Sequence, residues 1–327
     1  MQAIVLVGGE GTRLRPLTET VPKPALPLVD RPLLAYAVEW LAGHGVTEVV
    51  LACGFLPDVL REALSGEEER AGVRIRYAAE PEPLGTAGAI RFAADQLGDA
   101  LDDRFLALNG DVLTDLDLTA LLAAHGALGA RATIGLRAVG DSATYGLVSI
   151  GPGGDVTEFA EKTGEHVPGA INAGAYVLER SVLEEIPPGE NLSIELDVFP
   201  RLIGRGLFAR ELDGYWMDIG TPERYLQATW DVLEGAVRTG VVPTSPGILV
   251  SDSAEVADDA RVGPRAVVSA GCTVGAGAEI RESVLLEGCA VGDRAHVSGS
   301  ILAPGAEVAA EMSVDGAVAG RREKVQS

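Results

Sequence analysis

Cysteine, lysine and aromatic residues are scarce in this chain of 327 residues. The three cysteines, Cys53, Cys272 and Cys289, are widely separated and form no CxxC pair, so the sequence predicts neither a disulfide framework nor a thiolate zinc site. Lysine and arginine number 26 against 48 acidic residues, a formal charge of -22. This balance excludes the broad basic face that nucleic acid or an anionic membrane requires, so any bound phosphate needs a local site.

Long apolar runs are absent as well. No stretch of about 18 apolar residues occurs, and the opening MQAIVLVGG lacks the basic region and cleavage site of a signal peptide. These features predict a cytoplasmic protein that does not enter a membrane. Hydrophobic residues still make up 47% of the chain, enough for a large core and, at this length, for two domains.

Short apolar runs alternate with helical patterns as far as about residue 235. The predicted strands cover residues 3–7, 48–52, 73–78 and 105–108, and the predicted helices cover residues 33–42, 57–64 and 86–97. This alternation predicts an α/β fold with a Rossmann-like, mostly parallel sheet. Such sheets bind ligands beyond the carboxyl ends of their strands, so the loops there are the candidate binding loops.

Aliphatic residues recur every six positions beyond a turn-rich segment at 236–247. They occupy positions 256, 262, 268, 274 and 280, and the pattern resumes, shifted, at 285, 291 and 297 and again at 302, 308 and 314. This repeat is the signature of a parallel β-helix, and a sandwich of irregular strands fits such exact spacing poorly. The sequence therefore predicts an α/β domain at 1–235, a linker at 236–247, a β-helix at 248–318 and a tail at 319–327.

A glycine-rich loop follows the first strand. Gly8, Gly9 and Gly11 let backbone N–H groups approach phosphate oxygens. The loop is not a Walker A motif, since no Gly-Lys-Ser/Thr follows, and it lacks the third glycine of the dinucleotide fingerprint. Arg13 in the loop and Lys23 in a Pro-Lys-Pro sequence add two cations ten residues apart, which suits a polyphosphate. The alternative is a plain glycine turn.

Two acidic residues are candidate metal ligands. Asp111 ends a buried strand in the sequence Asn-Gly-Asp, and Asp218 lies between apolar neighbours just before a helix. Two carboxylates beside a triphosphate would hold Mg²⁺ together with phosphate oxygens. Each residue also has a structural explanation, which is a strand-ending turn for Asp111 and a helix cap or satisfied buried acid for Asp218.

The sequence GGEGTRLRPLT at residues 8–18, followed by Pro-Lys-Pro at 22–24, resembles the sugar-1-phosphate nucleotidylyltransferases. Within them it most resembles the mannose-1-phosphate guanylyltransferases, a group that also carries a left-handed β-helix after its catalytic domain. The resemblance implies that a nucleoside triphosphate and a sugar 1-phosphate react to give a nucleotide-sugar and pyrophosphate. GTP, mannose 1-phosphate and Mg²⁺ are the expected substrates and cofactor.

The resemblance also implies roles for single residues. The catalytic residues would be Arg13, Lys23, Asp111, Lys162 and Asp218, with Asp111 and Asp218 as metal ligands. The nucleotide would be bound by Leu6, Gly8, Gly9, Gly11, Thr12, Arg13, Lys23, Glu80, Gly85, Thr86, Asn109 and Asp111. The sugar would be bound by Gly146, Glu161, Lys162 and Asn172. Thr163 departs from the proline that usually follows the family's Glu-Lys pair.

The choice of base depends on Glu80. Guanine offers two adjacent donors, N1–H and the 2-amino group, which a carboxylate accepts together, whereas a pyrimidine's single N3–H suits an amide better. Glu80 therefore favours guanine. Some uridylyl-transferring relatives also carry a glutamate nearby, so a glucose-1-phosphate thymidylyl- or uridylyltransferase remains an alternative. A catalytically silent subunit that binds nucleotide-sugar is another.

The β-helix is expected to join copies of the chain into a homo-oligomer, because its open coil ends invite self-association. Related β-helices can carry acetyltransferase sites. His296 is a lone histidine in this region, without a recognisable coenzyme A loop, so the sequence does not favour that activity.

Overall fold

The computed structural model describes residues 1–9, 11–54, 56–143, 145–160, 164 and 166–325. Its helices are α1 (Leu33–Gly43), α2 (Pro57–Ala63), α3 (Glu67–Ala71), α4 (Gly85–Leu97), α5 (Leu118–Leu128), α6 (Phe199–Leu202) and α7 (Pro222–Leu233). None of the helices within these ranges is long and apolar enough to cross a membrane.

The strands that precede the β-helix are β1 (Gln2–Leu6), β2 (Pro27–Leu28), β3 (Arg31–Pro32), β4 (Glu48–Cys53), β5 (Arg74–Ala79), β6 (Arg104–Asn109), β7 (Val112–Thr114), β8 (Ala132–Val139), β9 (Leu147–Ile150), β10 (Val156–Ala160), β11 (Gly169–Glu179), β12 (Leu207–Glu211) and β13 (Trp216–Asp218). Contacts divide the chain into two compact units. The first is Met1–Gly9 with Leu34–Trp216, and the second is Glu10–Leu33 with Met217–Ser327.

A mixed sheet forms the centre of the first unit. Among the described residues it has nine strands, in the order β10-β9-β11-β6-β1-β4-β5, with β8 beside β11 and β12 beside β8. Strands β6, β1, β4 and β5 are parallel, so their carboxyl ends share one edge. Strands β8, β9, β10 and β11 join the sheet through antiparallel pairs, and β12 pairs in parallel with β8. The predicted α/β class with a Rossmann-like sheet is confirmed.

Strands β6, β1 and β4 lie at the centre of this unit's core, whereas β5 is an edge strand with alternating exposed and buried residues. A strand covered on both faces reads as a continuous apolar run, which explains why the central strands are visible in the sequence. Ile4, Val50 and Phe105 of neighbouring strands are almost fully buried and belong to the same core cluster as Ile90 and Ala93 of α4. The predicted strands and helices match the observed ones to within one or two residues.

The second unit contains the repeat region, whose strands are β14 (Ile248–Val250), β15 (Glu255–Val256), β16 (Arg261–Val262), β17 (Ala266–Val268), β18 (Thr273–Val274), β19 (Glu279–Arg281), β20 (Ser283–Leu285), β21 (Ala290–Val291), β22 (His296–Ser298), β23 (Ile301–Leu302), β24 (Glu307–Val308), β25 (Ser313–Asp315), β26 (Val318–Ala319) and β27 (Lys324–Val325). Within the described chain these strands form three parallel sheets of five, five and four strands. This is the predicted left-handed β-helix.

The shift in the six-residue period has a structural cause at one corner of the coil. Val262 and Val268 are six residues apart, whereas Ile280 and Leu285, at the same corner one coil later, are five apart. The coil therefore shortens from 18 to 17 residues, as seen in the register of Val250 with Val268 and of Val268 with Leu285. The inward residues still stack, because each coil loses its residue at the same corner.

The predicted tail is corrected by the structure. Val318–Ala319 pairs with Ile301–Leu302, and Lys324–Val325 pairs with Glu307–Val308, so a further coil extends to residue 325. The sequence missed this coil because Ala319 occupies an inward position where the earlier coils have larger aliphatic residues. Residues 236–247, predicted as a linker, contain in the structure only a bridge from Ser245 to Ile248.

All three cysteines are buried and free. Cys272 and Cys289 belong to the β-helix core, where they act as small apolar residues. Burial, with a smaller contribution from the Glu80 carboxylate, raises the pKa of the Cys53 thiol to about 11.

Candidate active site

The carboxyl edge of the parallel strands carries several of the predicted nucleotide-binding residues. Leu6 ends β1 and lies in register with Asn109, which ends β6. On the other side, Glu80 follows β5, and its N–H donates to the carbonyl of Cys53 at the end of β4. Gly8 and Gly9 follow β1 and are exposed. The sheet therefore brings Leu6, Asn109 and Glu80 to one edge, as predicted for a ligand crevice.

Gly110 holds the Asn-Gly-Asp turn tightly against β1. Its N–H donates to the carbonyl of Leu6 at 2.8 Å, and a Cβ at this position would lie 2.7 Å from Val7 Cγ1. The turn thus needs glycine for close approach in this chain. Asp111 follows Gly110 directly and is half-buried. The hydrogen bond from Gly110 to Leu6 therefore fixes the position of Asp111 after β6.

Glu80 stands at the entrance to α4. Its Oε2 atom accepts from the Leu84 N–H at 3.1 Å, which leaves Oε1 as the other acceptor of a half-buried carboxylate. Burial raises the pKa of Glu80, and the hydrogen bond from Leu84 partly offsets this effect. A carboxylate with a raised pKa in a partly desolvated position is a candidate ligand-binding group.

Thr86 and Asn172 are joined by a buried hydrogen-bond network. The Thr86 hydroxyl donates to Glu195 Oε2 at 2.9 Å. The Tyr176 hydroxyl donates to Glu195 Oε1 at 3.0 Å and accepts from Asn172 Nδ2 at 2.8 Å. Burial raises the pKa of Tyr176 well above its ordinary value, so its hydroxyl remains a donor. The Thr86 hydroxyl also accepts from the Ile194 N–H at 2.8 Å, so Thr86, a predicted nucleotide-binding residue, holds the helical turn at Ile194–Val198.

Asn172 sits at an irregularity in β11. Between Asn172 and Tyr176 this strand advances four residues while β8 advances two, a bulge of the kind that re-aims a side chain. The Gly174 N–H donates to Asn172 Oδ1 at 3.0 Å, and the Asn172 N–H donates to the carbonyl of Gly146 at 3.1 Å. Two of the predicted sugar-binding residues, Gly146 and Asn172, are therefore adjacent.

In the second unit, three cations surround Asp218 at the end of β13. Lys23 Nζ lies 3.2 Å from Asp218 Oδ1, while Arg224 Nη1 and Arg13 Nη2 lie 3.5 and 4.0 Å from Asp218 Oδ2. Thr221 caps α7 and accepts from the Arg224 N–H at 3.4 Å, which places Arg224 in the first turn beside Asp218. The structure thus brings together the predicted residues Arg13, Lys23 and Asp218.

Gly11 makes the turn that carries Thr12 and Arg13. It has a φ of +60°, and a Cβ there would lie 3.1 Å from the Thr18 side chain and 3.2 Å from Lys23 Cβ. The Thr18 hydroxyl donates to the Gly11 carbonyl at 2.8 Å and closes the turn. Thr12 and Arg13 are exposed at its surface.

The two predicted metal ligands are carboxylates in different compact units. Asp111 lies in the first unit and Asp218 in the second. Within the described ranges, no group of three or more histidine, cysteine or acidic side chains could hold a metal ion by itself. Carboxylates are ligands that Mg²⁺ prefers, and one or two of them with substrate phosphates are a usual Mg²⁺ site.

Some predicted residues were not tested and some contacts were missed. Glu161 and Lys162 lie outside the described residues. Arg224 and Glu195, which make the contacts to Asp218 and Thr86, were not singled out in the sequence. Arg224 had a detectable signal, because it lies in the first turn of a predicted helix that begins just after Asp218. Glu195 had none, because its partners are distant in sequence.

Comparison with known families shows which family this chain belongs to. Residues 2–235 match the family model described as Nucleotidyl transferase, and residues 244–327 match the one described as GMPPB C-terminal domain. The first match covers more than half of the sequence, so this chain belongs to the nucleotidyl transferase family. The predicted resemblance and enzyme class are thereby confirmed. Nucleotidyl transferases of this family generally use a divalent metal ion.

The similar curated proteins carry one activity in their names. A probable mannose-1-phosphate guanylyltransferase 1 of Oryza sativa is 38% identical over 88% of this chain and 81% of its own length. The mannose-1-phosphate guanylyltransferase of Mycobacterium tuberculosis is 38% identical over 88% and 78%, respectively. The corresponding enzyme of Schizosaccharomyces pombe is 39% identical over 83% and 74%.

The similar solved structures match most, but not all, of this chain. HddC from Yersinia pseudotuberculosis is 30% identical with a TM-score of 0.61, covering 70% of this chain and 97% of HddC, and was also solved in complex with GMP-PN. A putative glucose-1-phosphate thymidylyltransferase from Bacillus anthracis is 25% identical with a TM-score of 0.63, covering 74% and 98%.

Proposed function

We propose that this chain transfers the guanylyl group of GTP to mannose 1-phosphate and releases pyrophosphate, with residues 1–235 as the catalytic domain. The observation that carries the proposal is the set of cations around Asp218, which includes Arg13 and Lys23 from the segment after the glycine loop. Arginine and lysine side chains make charge-assisted hydrogen bonds to phosphate oxygens, so a group of them suits a triphosphate. The similar curated proteins named as mannose-1-phosphate guanylyltransferases support the same substrates.

The chemistry requires no general base from the protein. The second pKa of a phosphate monoester is about 6, so most of the sugar phosphate is dianionic at neutral pH. One of its oxygens attacks the α-phosphorus of GTP, a P–O bond forms there, and the bond to the β-phosphate oxygen breaks to release pyrophosphate. Catalysis then consists of positioning the two substrates and neutralising charge.

Arg13, Lys23 and Lys162 have separate roles in this proposal. Lys23 is buried beside Asp218, so its ammonium is held in one place, while the exposed Arg13 guanidinium can turn toward phosphate oxygens. Both stabilise the departing pyrophosphate. Lys162 and Glu161, whose roles come from the family resemblance, meet the phosphate and the hydroxyls of the sugar.

Asp111 and Asp218 are the residues that would hold Mg²⁺. When bound, this ion supplies charge neutralisation at the phosphate oxygens. In the structure Asp218 pairs with Lys23, and a triphosphate that offers its own oxygens to Lys23 and Arg13 would leave the Asp218 carboxylate available for metal.

In this proposal Glu80 recognises the guanine base. The half-buried carboxylate lies just before α4, in the loop that surrounds the base in relatives, and accepts from both N1–H and the 2-amino group. The complex of the similar HddC with GMP-PN is consistent with guanine. The second candidate is a glucose-1-phosphate enzyme that uses dTTP or UTP. It is supported by the similarity to a putative glucose-1-phosphate thymidylyltransferase.

A substrate screen distinguishes these functions. Pyrophosphate release is measured with GTP, ATP, UTP and dTTP, each paired with the 1-phosphates of mannose, glucose, galactose, N-acetylglucosamine and heptose. We expect the highest kcat/KM for GTP with mannose 1-phosphate. A preference for dTTP or UTP with glucose 1-phosphate would establish the alternative, and no turnover with any pair would establish a silent binding subunit.

The β-helix joins copies of the chain in this proposal. Its last described coil, 318–325, presents strand edges to which another chain can add. Light scattering of the purified protein should give a multiple of the 33.9 kDa chain mass. A mass of one chain at micromolar concentration would contradict the proposal.

A further inference from the structure

A half-buried carboxylate, that of Glu195, collects three hydroxyl groups. Glu195 lies in a single turn of π helix, Ile194–Val198, a rare element that often marks a functional site. The Thr86 and Ser193 hydroxyls donate to Glu195 Oε2 at 2.9 and 2.8 Å. The Tyr176 hydroxyl donates to the other oxygen, Oε1, at 3.0 Å. Both carboxylate oxygens are therefore engaged by the protein's own side chains.

The direction of these hydrogen bonds follows from the chemistry of the groups. An ionised carboxylate has no proton to give, so each hydroxyl must point its own proton at Glu195 and keep its oxygen for another donor. The Thr86 oxygen accepts from the Ile194 N–H at 2.8 Å. The Ser193 oxygen accepts from the Leu196 N–H at 3.1 Å. These two hydroxyls thus tie the carboxylate to the backbone on either side of Glu195.

Tyr176 carries the same direction on to Asn172. The Tyr176 hydroxyl gives its proton to Glu195, so its oxygen accepts from Asn172 Nδ2 at 2.8 Å. The buried Tyr176 ring packs edge-on against Phe199, with centroids 5.1 Å apart, which holds the hydroxyl in place. With Nδ2 on Tyr176, the amide oxygen of Asn172 accepts from the Gly174 N–H at 3.0 Å. Glu195 therefore acts through Tyr176 to hold the Asn172 amide in one orientation.

We propose that Glu195 is a positioning residue that orients the Asn172 amide for the sugar through Tyr176. Thr86 and Ser193 anchor Glu195, which itself contacts no substrate. An amide held in one orientation offers a sugar hydroxyl a donor and an acceptor at fixed places, and such a site discriminates against a sugar whose hydroxyl points elsewhere. The inference rests on the proposed function in one respect, namely that Asn172 binds the sugar.

Glu195→Gln tests this path, because it keeps the size of the side chain and replaces one acceptor oxygen with an NH₂ donor. The remaining oxygen should stay with Thr86 and Ser193, where it accepts from two hydroxyls instead of one. The new NH₂ group then faces the Tyr176 hydroxyl, whose oxygen already accepts from Asn172. With donors on both sides of that oxygen, the Asn172 amide no longer has a fixed orientation.

Steady-state kinetics should show this effect on the sugar alone. We expect Glu195→Gln to raise KM for mannose 1-phosphate by about tenfold, as for a hydrogen bond lost at a buried polar group. KM for GTP should stay near wild type, since the anchor at Thr86 is kept. Glu190→Gln, the same substitution at an exposed acid of the same segment, is the matched control and should change neither value.

A double-mutant cycle separates this path from a general structural role. Tyr176→Phe removes the hydroxyl that connects Glu195 to Asn172. Adding Glu195→Gln to Tyr176→Phe should therefore cause no further rise in KM for mannose 1-phosphate. Additive effects of the two substitutions would overturn the inference, because Glu195 would then act by a route that does not pass through Tyr176.

NMR of the Asn172 side chain gives a readout that does not depend on turnover. The chain has only three asparagines, Asn109, Asn172 and Asn191, so isotope labelling at asparagine nitrogen gives three side-chain amide groups to follow. In Glu195→Gln the Asn172 amide should shift and exchange faster with water, while the Asn109 amide stays as in wild type. Glu190→Gln should leave the Asn172 amide unchanged.

The NMR result also distinguishes failure of this inference from failure of the proposed function. An unchanged Asn172 amide in Glu195→Gln would overturn the inference, whatever the kinetics show. If wild type turns over no sugar phosphate, the proposed function fails, while the Asn172 amide still decides whether Glu195 sets its orientation.

Discussion

Lys23 and Asp218 are 195 positions apart in the sequence, yet Lys23 Nζ lies 3.2 Å from Asp218 Oδ1. The Lys23 side chain is only 8% exposed, and a buried ammonium without a counter-charge would be costly. Asp218 supplies that charge, and the same carboxylate approaches Arg13 and Arg224. The residue proposed as a metal ligand therefore also organises the cations proposed to bind phosphate.

Asp218→Asn should reduce both turnover and stability. The amide cannot neutralise the buried Lys23, which should lower the free energy of unfolding by about 1–3 kcal/mol. Loss of a metal ligand should lower kcat by orders of magnitude at saturating Mg²⁺. Urea unfolding and steady-state kinetics measure the two effects. Asp95→Asn, at a half-exposed acid on α4, is the control and should change neither. Turnover near wild type would exclude Asp218 as a ligand.

Tyr176→Phe should separate the network around Glu195 from simple packing. The substitution keeps the ring and removes only the hydroxyl that links Asn172 to Glu195. We expect a loss of about 1–3 kcal/mol in unfolding free energy, because buried polar partners remain. KM for the sugar phosphate should rise more than KM for GTP, since Asn172 is the proposed sugar-binding residue. Equal changes in both values would argue against a specific role for Asn172.

Ionisation of Glu80 should appear in the pH profile of kcat/KM for GTP as a fall on the acid side. Burial raises the pKa of Glu80, and pairing with guanine requires the ionised form. The value of kcat/KM for GTP should therefore fall, as pH decreases, at a higher pH than an ordinary glutamate would give. Glu80→Gln should lack this fall and lose about 5- to 150-fold at neutral pH. A pH profile of the same shape in both proteins would contradict this role.

Folding stability at neutral pH gives an independent check on Glu80. The folded protein binds the Glu80 proton more tightly than the unfolded chain, so ionisation of this group destabilises the fold as pH rises. Glu80→Gln should therefore be at least as stable as wild type at pH 7 by urea unfolding. A clear loss of stability would show that the carboxylate is structural.

His125 should make stability depend on pH below neutrality. It is fully buried, with Nδ1 2.8 Å from Thr133 Oγ1 and Nε2 3.0 Å from Glu179 Oε1, beside Arg104. Burial lowers the pKa of His125 below its ordinary value near 6.5, so the unfolded chain binds more protons between the two values. Stability should fall as pH drops from 6.5 through that interval. His125→Gln should flatten the curve, and parallel curves would refute this cause.

The sequence predicted the elements whose signal is local. Strand β1 and its parallel neighbours are continuous apolar runs, and the β-helix repeats its inward residue every six positions. The cations Arg13 and Lys23 were found because the glycine loop and the Pro-Lys-Pro sequence are contiguous motifs. Each of these features depends on residues close together in the chain.

Contacts between distant residues could not be predicted in this way. Nothing local indicates that Glu195 would accept from Thr86, 109 positions away. The grouping of residues 10–33 with residues 217–327 has the same origin, because it depends on contacts between segments that are distant in sequence. The last coil was missed for a local reason, since the small Ala319 breaks the aliphatic pattern.

A competition experiment tests the proposed reaction most directly. The protein is incubated with Mg²⁺, mannose 1-phosphate and equal concentrations of GTP, ATP, UTP and dTTP, and the nucleotide-sugar product is identified by mass spectrometry. The account predicts a GDP-linked hexose as the main product, formed with one pyrophosphate per product molecule. A dTDP- or UDP-linked hexose as the main product, or no nucleotide-sugar at all, would contradict it.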